Sequence, residues 1–251
     1  MRLKNKVAIV TGAGAGIGRA IAERFGAEGA AVVVAEVDTA NGKSAAQAIS
    51  TGGEALFIQT DVSDEAQVRA MTDAALDRYG RIDILCNNAA VLLVNEEAPA
   101  HELSNEAWER TMAVNLRGYW LCSKYTIPAM LRQGGGSVIH VASPTGIFGF
   151  TRLTAYSTSK GGVIGLMRAM AADYAPQHIR VNAIVPGTID TPMNAIELSD
   201  PATRKHFAEI APARRLGTPQ DLAGIAVFLA SEDSDYCVGG IFTVDGGLTA
   251  V

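Results

Sequence analysis

Cysteine is scarce in this chain. Cys86, Cys122 and Cys237 are odd in number, far apart and without C-x-x-C spacing, which argues against a disulfide framework or a zinc knot and fits a reduced setting. There is no surplus of positive charge either: 21 Lys and Arg stand against 26 Asp and Glu, for a net charge of −5. A phosphate-backbone binder needs a basic face, so no nucleic-acid partner is expected. No apolar run approaches the length of a membrane span, and Met1–Lys6 leads straight into Val7-Ala8-Ile9-Val10 without a signal-peptide core. A cytoplasmic protein with no membrane partner is expected on that basis. His101, His140, His178 and His206 lack close metal-ligand spacing, and no metal is expected. No Pro/Ser-rich linker, charge block or internal repeat divides the chain, so a single domain over residues 1–251 is preferred.

Apolar residues and glycine are plentiful, at 48% hydrophobic with 26 glycines in 251 residues. That is ample material for a core. Short β-branched runs alternate with longer helical segments. The expected strands are 7–11, 31–36, 55–59, 82–86, 136–141, 179–185 and 241–244. Several are continuously apolar rather than alternating, the pattern of strands buried on both faces. Helices are expected over 16–28, 41–50, 65–79, 105–132, 155–174 and 219–230. Ser63 can cap the third, with Asp64 and Glu65 in its positive first turn. Thr218-Pro219-Gln220-Asp221 places a capping residue, a first-turn proline and an acid in order. Pro128 should bend the fourth helix or mark its last turns. Such alternation implies an α/β fold: a doubly wound parallel sheet of about seven strands, helices on both faces and right-handed crossovers. In that fold, ligands bind beyond the carboxyl ends of the strands.

Two stretches carry chemistry. After the first strand comes Gly12-Ala13-Gly14-Ala15-Gly16-Ile17-Gly18, a G-x-x-x-G-x-G turn that opens a helix. Glycine there permits a tight turn and lets backbone N–H groups approach a pyrophosphate at the helix N-terminus. The second strand ends at Glu36, placed to accept hydrogen bonds from an adenosine ribose and to repel a 2′-phosphate; neither Ala15 nor Val37 offsets it, and Asp38 is an alternative acid. The other stretch is Tyr156-Ser157-Thr158-Ser159-Lys160, with Ser143 upstream. Tyr and Lys four apart on a helix share one face, roughly 5–6 Å apart at Cβ. An ammonium beside a phenol should lower the tyrosine pKa and fit it for general acid/base work.

These residues together resemble a classical short-chain dehydrogenase/reductase, and the resemblance covers nearly the whole chain. It rests on Thr11–Gly18, Asp61-Val62, Asn87-Asn88-Ala89-Ala90, Asn115, Ser143, Tyr156 with Lys160, and Pro186-Gly187, modest singly but specific in order and spacing. The resemblance implies an NAD-dependent oxidoreductase acting between secondary alcohols and ketones. Tyr156 would be the acid/base, Ser143 would hold the substrate oxygen, Lys160 would bond the nicotinamide ribose, and Asn115 would position a relay water. Asp61 and Val62 would meet adenine. Asn88, beside Ala89, would support the sheet and cofactor, and Pro186, Gly187, Ile189 and Thr191 would lie near the nicotinamide. A homotetramer is typical of the family. Two departures stand out. Pro144 follows Ser143 and should restrict it, and Ala90 replaces a glycine in the N-N-A-G pattern.

The substrate is less legible. Candidate wall residues are 91–97, Pro144, Thr145, Phe148, Phe150, Leu153 and the stretch from Met193 to Phe207, with 190–215 expected as a mobile lid. A cyclic alcohol or a polyol or sugar would each fit. For assembly, Gly161, Gly165 and Ala169 form a small-residue row, Trp108, Met112, Leu116 and Trp120 an apolar row, and the stretch from residue 238 to 251 offers a second contact. A non-catalytic nucleotide-sensing protein on the same scaffold is the alternative; a lyase or epimerase is disfavoured by the short chain.

Overall fold

The computed structural model describes residues 1–250, so Val251, the end of the expected C-terminal contact, lies outside the described residues. Seven parallel strands lie in the order β3-β2-β1-β4-β5-β6-β7. They are β1 Val7–Thr11, β2 Ala31–Glu36, β3 Glu54–Gln59, β4 Ile84–Asn87, β5 Gly136–Val141, β6 Ile179–Pro186 and β7 Ile241–Val244. The helices are α1 Gly16–Ala27, α2 Thr39–Ser50, α3 Glu65–Tyr79, α4 Asn105–Met112, α5 Gly118–Gln133, α6 Thr154–Tyr174, α7 Ala195–Leu198, α8 Pro201–Ile210 and α9 Pro219–Ala230.

The continuous apolar runs are explained by two cores, one on each face of the sheet. Ile9, Val33 and Leu85 pack with Met71, Leu121 and Val163 from α3, α5 and α6. Their chain neighbours Val10, Val34 and Ile84 turn the other way, onto Ile21, Phe25 and Leu222 from α1 and α9. Successive strand residues face opposite sides, so a strand covered twice has no polar face.

Several boundaries move, each for a local reason. The expected helix over 105–132 is interrupted by a π-helical segment, Ala113–Arg117, between α4 and α5; such insertions frequently occur at functional sites. Pro128 falls within α5, towards its end. Asp64, not Ser63, caps α3, accepting from the N–H groups of Ala66 and Gln67 at 2.8 and 3.3 Å. Ser63 instead donates its hydroxyl to Asp61 at 2.7 Å. Asp38 accepts from the Asn41 N–H at 2.9 Å, so α2 starts at Thr39. The fourth strand begins two residues later than expected, at Ile84, and runs on to Asn87. Residues 190–215 contain a 3-10 turn, Pro192–Asn194, followed by α7 and α8.

The sheet runs β3-β2-β1 in one direction from β1 and β4 to β7 in the other. The loops after β1 and β4 therefore diverge and leave a crevice between them, the place where open parallel sheets bind ligands.

Candidate active site

Backbone geometry forms the floor of the crevice. Gly12 has φ +63°, and a Cβ there would lie 2.8 Å from Ala89 Cα; a Cβ on Gly18 would lie 2.2 Å from the Gly12 carbonyl oxygen. No larger residue fits these two places without moving the chain. Asn88 fastens the loops together. Its Nδ2 donates to the Thr11 and Gly12 carbonyls at 3.0 and 3.2 Å, while Thr11 Oγ1 accepts from the N–H groups of Asn88 and Ala89. Ala90 is not among the residues with positive φ, so the missing glycine strains nothing.

Above this floor lies a cavity of about 520 Å³ lined by Gly12, Gly16, Ile17, Glu36, Asp61, Val62, Asn88, Ala89 and Thr191 among others. Gly14 and Gly18 lie behind the lining. The N–H of Gly14 donates to Glu36 Oε2 at 3.0 Å, and that of Asp38 to Glu36 Oε1 at 3.1 Å. Glu36 therefore faces the cavity, whereas Asp38 is occupied at α2. The N-terminus of α1 has no side-chain cap, in contrast to α2, α3 and α4, which Asp38, Asp64 and Ser104 cap. Its open N–H groups and positive dipole end suit an anion. A dinucleotide fits this cavity: a tight glycine floor, uncapped donors for a pyrophosphate, and a carboxylate at the second strand end.

A second cavity, about 210 Å³, shares Ile17, Asn88, Ala90, Thr191 and Met193 with the first, and brings together Ser143, Tyr156, Lys160, Pro186, Gly187 and Ile189. Pro144, Thr145, Phe150, Leu153 and Met193 line it as expected. Phe148 does not. It is 49% exposed, because the turn Pro144–Gly146 carries the following residues outward. Ser143 is extended, at φ −162° and ψ 153°, as a residue before proline should be. Its Oγ accepts from the N–H of Thr145 at 3.3 Å and from its hydroxyl at 3.0 Å.

Lys160 is 2% exposed. Its Nζ donates to the Val141 carbonyl at 2.8 Å and to the Tyr119 hydroxyl at 3.4 Å, and lies 5.7 Å from the centroid of the Tyr156 ring. The expected lowering of the Tyr156 pKa is overturned. Burial pushes Tyr156 up to about 12 despite a hydrogen bond with Ser143, and the charge of Glu97 adds to the rise. Burial also pushes Lys160 down to about 7. Desolvation disfavours both charged forms and outweighs an ammonium that is aimed at Val141 rather than at the phenol oxygen. Asn115, fully buried in the π-helical segment, exchanges two hydrogen bonds with the main chain of Val91 at 2.8 and 2.9 Å and donates to Ser159 at 3.2 Å.

Sequence reasoning missed three participants. Glu97 was one of a run of wall candidates, yet its carboxylate accepts from the N–H groups of Ala155 and Tyr156 at 3.2 and 2.8 Å, capping the helix that bears the tyrosine. Tyr119 and His140 lie behind Lys160, stacked at 5.6 Å. His140 Nδ1 is 3.2 Å from Asn87 Nδ2, and its Nε2 has no hydrogen-bond partner. No regular spacing links these positions; only the register of β5 against α5 and α6 brings them together. Among the described residues, no three His, Cys, Asp or Glu side chains are grouped as a metal site.

Comparison with known proteins agrees with this geometry. A family model described as enoyl-(acyl carrier protein) reductase matches residues 12–249. The chain is 40% identical to cis-4-hydroxycyclohexanecarboxylate dehydrogenase of Sinomonas cyclohexanicum, over 98% of this chain and 97% of that one. Levodione reductase superposes with a TM-score of 0.94 at 35% identity, covering 100% of both chains. A structure from Beutenbergia cavernae, described as a putative NAD(P) dependent gluconate 5-dehydrogenase with NADP bound at low occupancy, superposes at 0.93 with 36% identity, covering 99% and 98%.

The buried histidine has a consequence for stability. Burial, reinforced by the charge of Lys160, holds His140 at about 3, whereas an unfolded histidine titrates near 6.5. Between those values the unfolded chain takes up a proton that the folded chain refuses. Stability from neutral His140 is thus fully present above pH 6.5 and is lost as the pH falls below it, by about 2 kcal/mol on reaching pH 5. His140→Asn should flatten the dependence by that amount in urea unfolding at pH 7 and pH 5. Equal pH dependence in both proteins would refute it.

Proposed function

This chain belongs to the classical short-chain dehydrogenase/reductase family, and from that premise we propose that it is an NAD-dependent oxidoreductase working between secondary alcohols and ketones, with Tyr156 as its acid/base. The observation that carries this is the convergence of Ser143, Tyr156 and Lys160 on one cavity that opens into the larger, glycine-floored one. A nucleotide-sensing protein would need only the larger cavity. The names of the relatives, a hydroxycyclohexane acid, levodione and gluconate, share a carbinol or carbonyl carbon, although two of the three are acids.

The residues have distinct tasks. Gly12–Gly18 and the start of α1 would hold the pyrophosphate, Glu36 the adenosine ribose, and Asp61 and Val62 the adenine. Pro186, Gly187, Ile189 and Thr191 would flank the nicotinamide, which when bound supplies the two-electron acceptor or donor. In oxidation, Tyr156 as phenolate accepts the hydroxyl proton of the alcohol, whose oxygen Ser143 fixes. Burial opposes that phenolate, so it depends on positive charge nearby, which Lys160 in its protonated form would supply. Asn115, tied to Val91 and Ser159, would position a water that relays the proton outward. Residues 190–215, through α7 and α8, would close over the substrate.

NAD is the cofactor inferred because Glu36 lines the cavity at the end of β2, where it would meet a ribose and repel a 2′-phosphate. Arg110 is the cation in that lining, and its guanidinium pairs with Glu96 at 3.5 Å. The working form is a cytoplasmic homotetramer. An apolar groove including Met112, Leu116, Trp120 and Leu166 crosses α4 to α6, with Trp120 44% exposed. Gly165 has open space beyond it, although Gly161 faces Gly146 of its own chain rather than outward.

Three measurements test these assignments. Tyr156→Phe keeps the ring and removes the proton-transferring hydroxyl; turnover should fall at least about a hundredfold with cofactor affinity little changed, and near-normal turnover would sink the mechanism. The ratio of kcat/KM for NAD over NADP should favour NAD and shrink in Glu36→Ala; a native preference for NADP would reverse the cofactor assignment. Light scattering should give about four times the 26.2 kDa chain mass, and a mass of one chain would reject the assembly.

A further inference from the structure

The cavity at Ser143 and Tyr156 has a charge pattern that alcohol–ketone chemistry does not itself demand. Much of its wall is apolar, with Leu92, Phe150, Leu153, Met193, Phe207 and Leu248. Among the described residues lining it, Lys160 is the one cation, with its amine committed to Val141 and Tyr119. Among those same residues Glu197 is the one carboxylate, half-buried on α7.

Among the described residues, the cations of the flanking segment are already engaged; Arg214 donates to the Glu209 carbonyl at 2.6 Å. Arg204 pairs with Asp190, Lys205 lies 3.8 Å from Glu209, and Arg215, in the adjoining cavity, grips Asp221 through both guanidinium nitrogens at 2.6 and 2.9 Å. Asp245 adds a second carboxylate to that adjoining cavity, held by Thr249 and Gly247. Glu97 is spent on the N–H groups of α6. The neutral polar groups are partly used as well: Asn194 Nδ2 donates to the Ile189 carbonyl at 2.8 Å, and Thr145 Oγ1 to Ser143 at 3.0 Å. A substrate with many hydroxyls would find few unengaged partners. A substrate carboxylate would lose its water, meet no available donor fork, and face Glu197.

We propose that this pocket selects uncharged, predominantly apolar ring alcohols and ketones, and that Glu197 is the residue that rejects their anionic counterparts. The inference rests on the alcohol–ketone reading above, but can be tested apart from turnover.

Cyclohexanecarboxamide and cyclohexanecarboxylate are matched in shape, differ in charge, and lack a carbinol, so neither can react. Calorimetric titration of each into the full chain saturated with reduced cofactor should show the carboxamide binding at least about tenfold tighter. In Glu197→Gln that ratio should narrow at least about threefold, and in Glu197→Lys the carboxylate should bind more tightly than it does to the native chain. Equal or tighter binding of the carboxylate to the native chain overturns the proposal, as does an unchanged ratio in Glu197→Gln. Failure of both ligands to bind at millimolar concentration also overturns it, while turnover of any secondary alcohol would still leave the oxidoreductase reading standing. Retained carboxamide preference with no turnover across an alcohol panel would support this proposal and reject that reading.

Discussion

Lys160 has lost nearly all contact with water, and a buried ammonium is tolerated only where other acceptors replace the water it gave up. Its replacements are the last carbonyl of β5 and the hydroxyl of Tyr119 on α5. The placement of α6 follows from that requirement. Its backbone must come close enough to β5 for the ammonium to reach Val141, and the turn after Ser143 must let it pass. A Cβ on Gly146 would lie 2.6 Å from the Lys160 carbonyl carbon, so the turn is glycine where the helix crosses it. Tyr156, one helical turn earlier, is then fixed from both ends, by Glu97 on its own N–H and by Lys160 anchored in the sheet. Ser143 reaches the same place because it lies at the end of the strand that supplies the carbonyl.

The nucleotide side is governed by topology rather than by any one charge. The sheet reverses its winding between β1 and β4, which would leave the loops after those strands free to separate. Asn88 and Thr11 prevent this with four hydrogen bonds across the gap. The crevice is thus held at a set width by the buried Thr11 and by Asn88, which also lines both cavities, and glycines keep its floor low. Both cavities derive from this arrangement, since they share Asn88, Ala90 and Ile17 along the same loops.

What could be read from the sequence was what repeats locally. The order of strands and helices follows from apolar runs and capping residues. Tyr156 and Lys160 follow from helical spacing, and Gly12 to Gly18 from a strand–turn–helix context. What could not be read depended on pairings far apart in the chain. Glu97 lies 59 residues from the N–H it bonds. His140 and Tyr119 meet only through register. The π-helical turn that directs Asn115 inward is hard to see in so short a stretch, because one inserted residue shifts the phase of the apolar positions without changing composition. The lowered tyrosine pKa failed for a related reason. Spacing gives the proximity of Tyr156 and Lys160, but burial, which neither residue encodes by itself, reverses the sign of the shift.

The acidic balance of the chain poses a last question, since a dinucleotide is itself an anion. Arg110 and the acids Glu36 and Asp61 are the charged side chains lining the nucleotide cavity, and Arg110 pairs with Glu96. On the proposed reading, a pyrophosphate would be recognised by backbone: glycine turns that bring N–H groups close, and the uncapped start of α1 with its partial positive charge. Side chains cap α2, α3 and α4, whereas α1 opens onto the cavity with no side-chain cap. Donors fixed in the main chain favour a phosphate without adding a mobile cation that could also welcome one on the ribose. Of the two acids in that lining, Glu36 is already held by the N–H groups of Gly14 and Asp38. If Glu36 grips a ribose as proposed, its orientation is set in advance and the grip costs little further ordering.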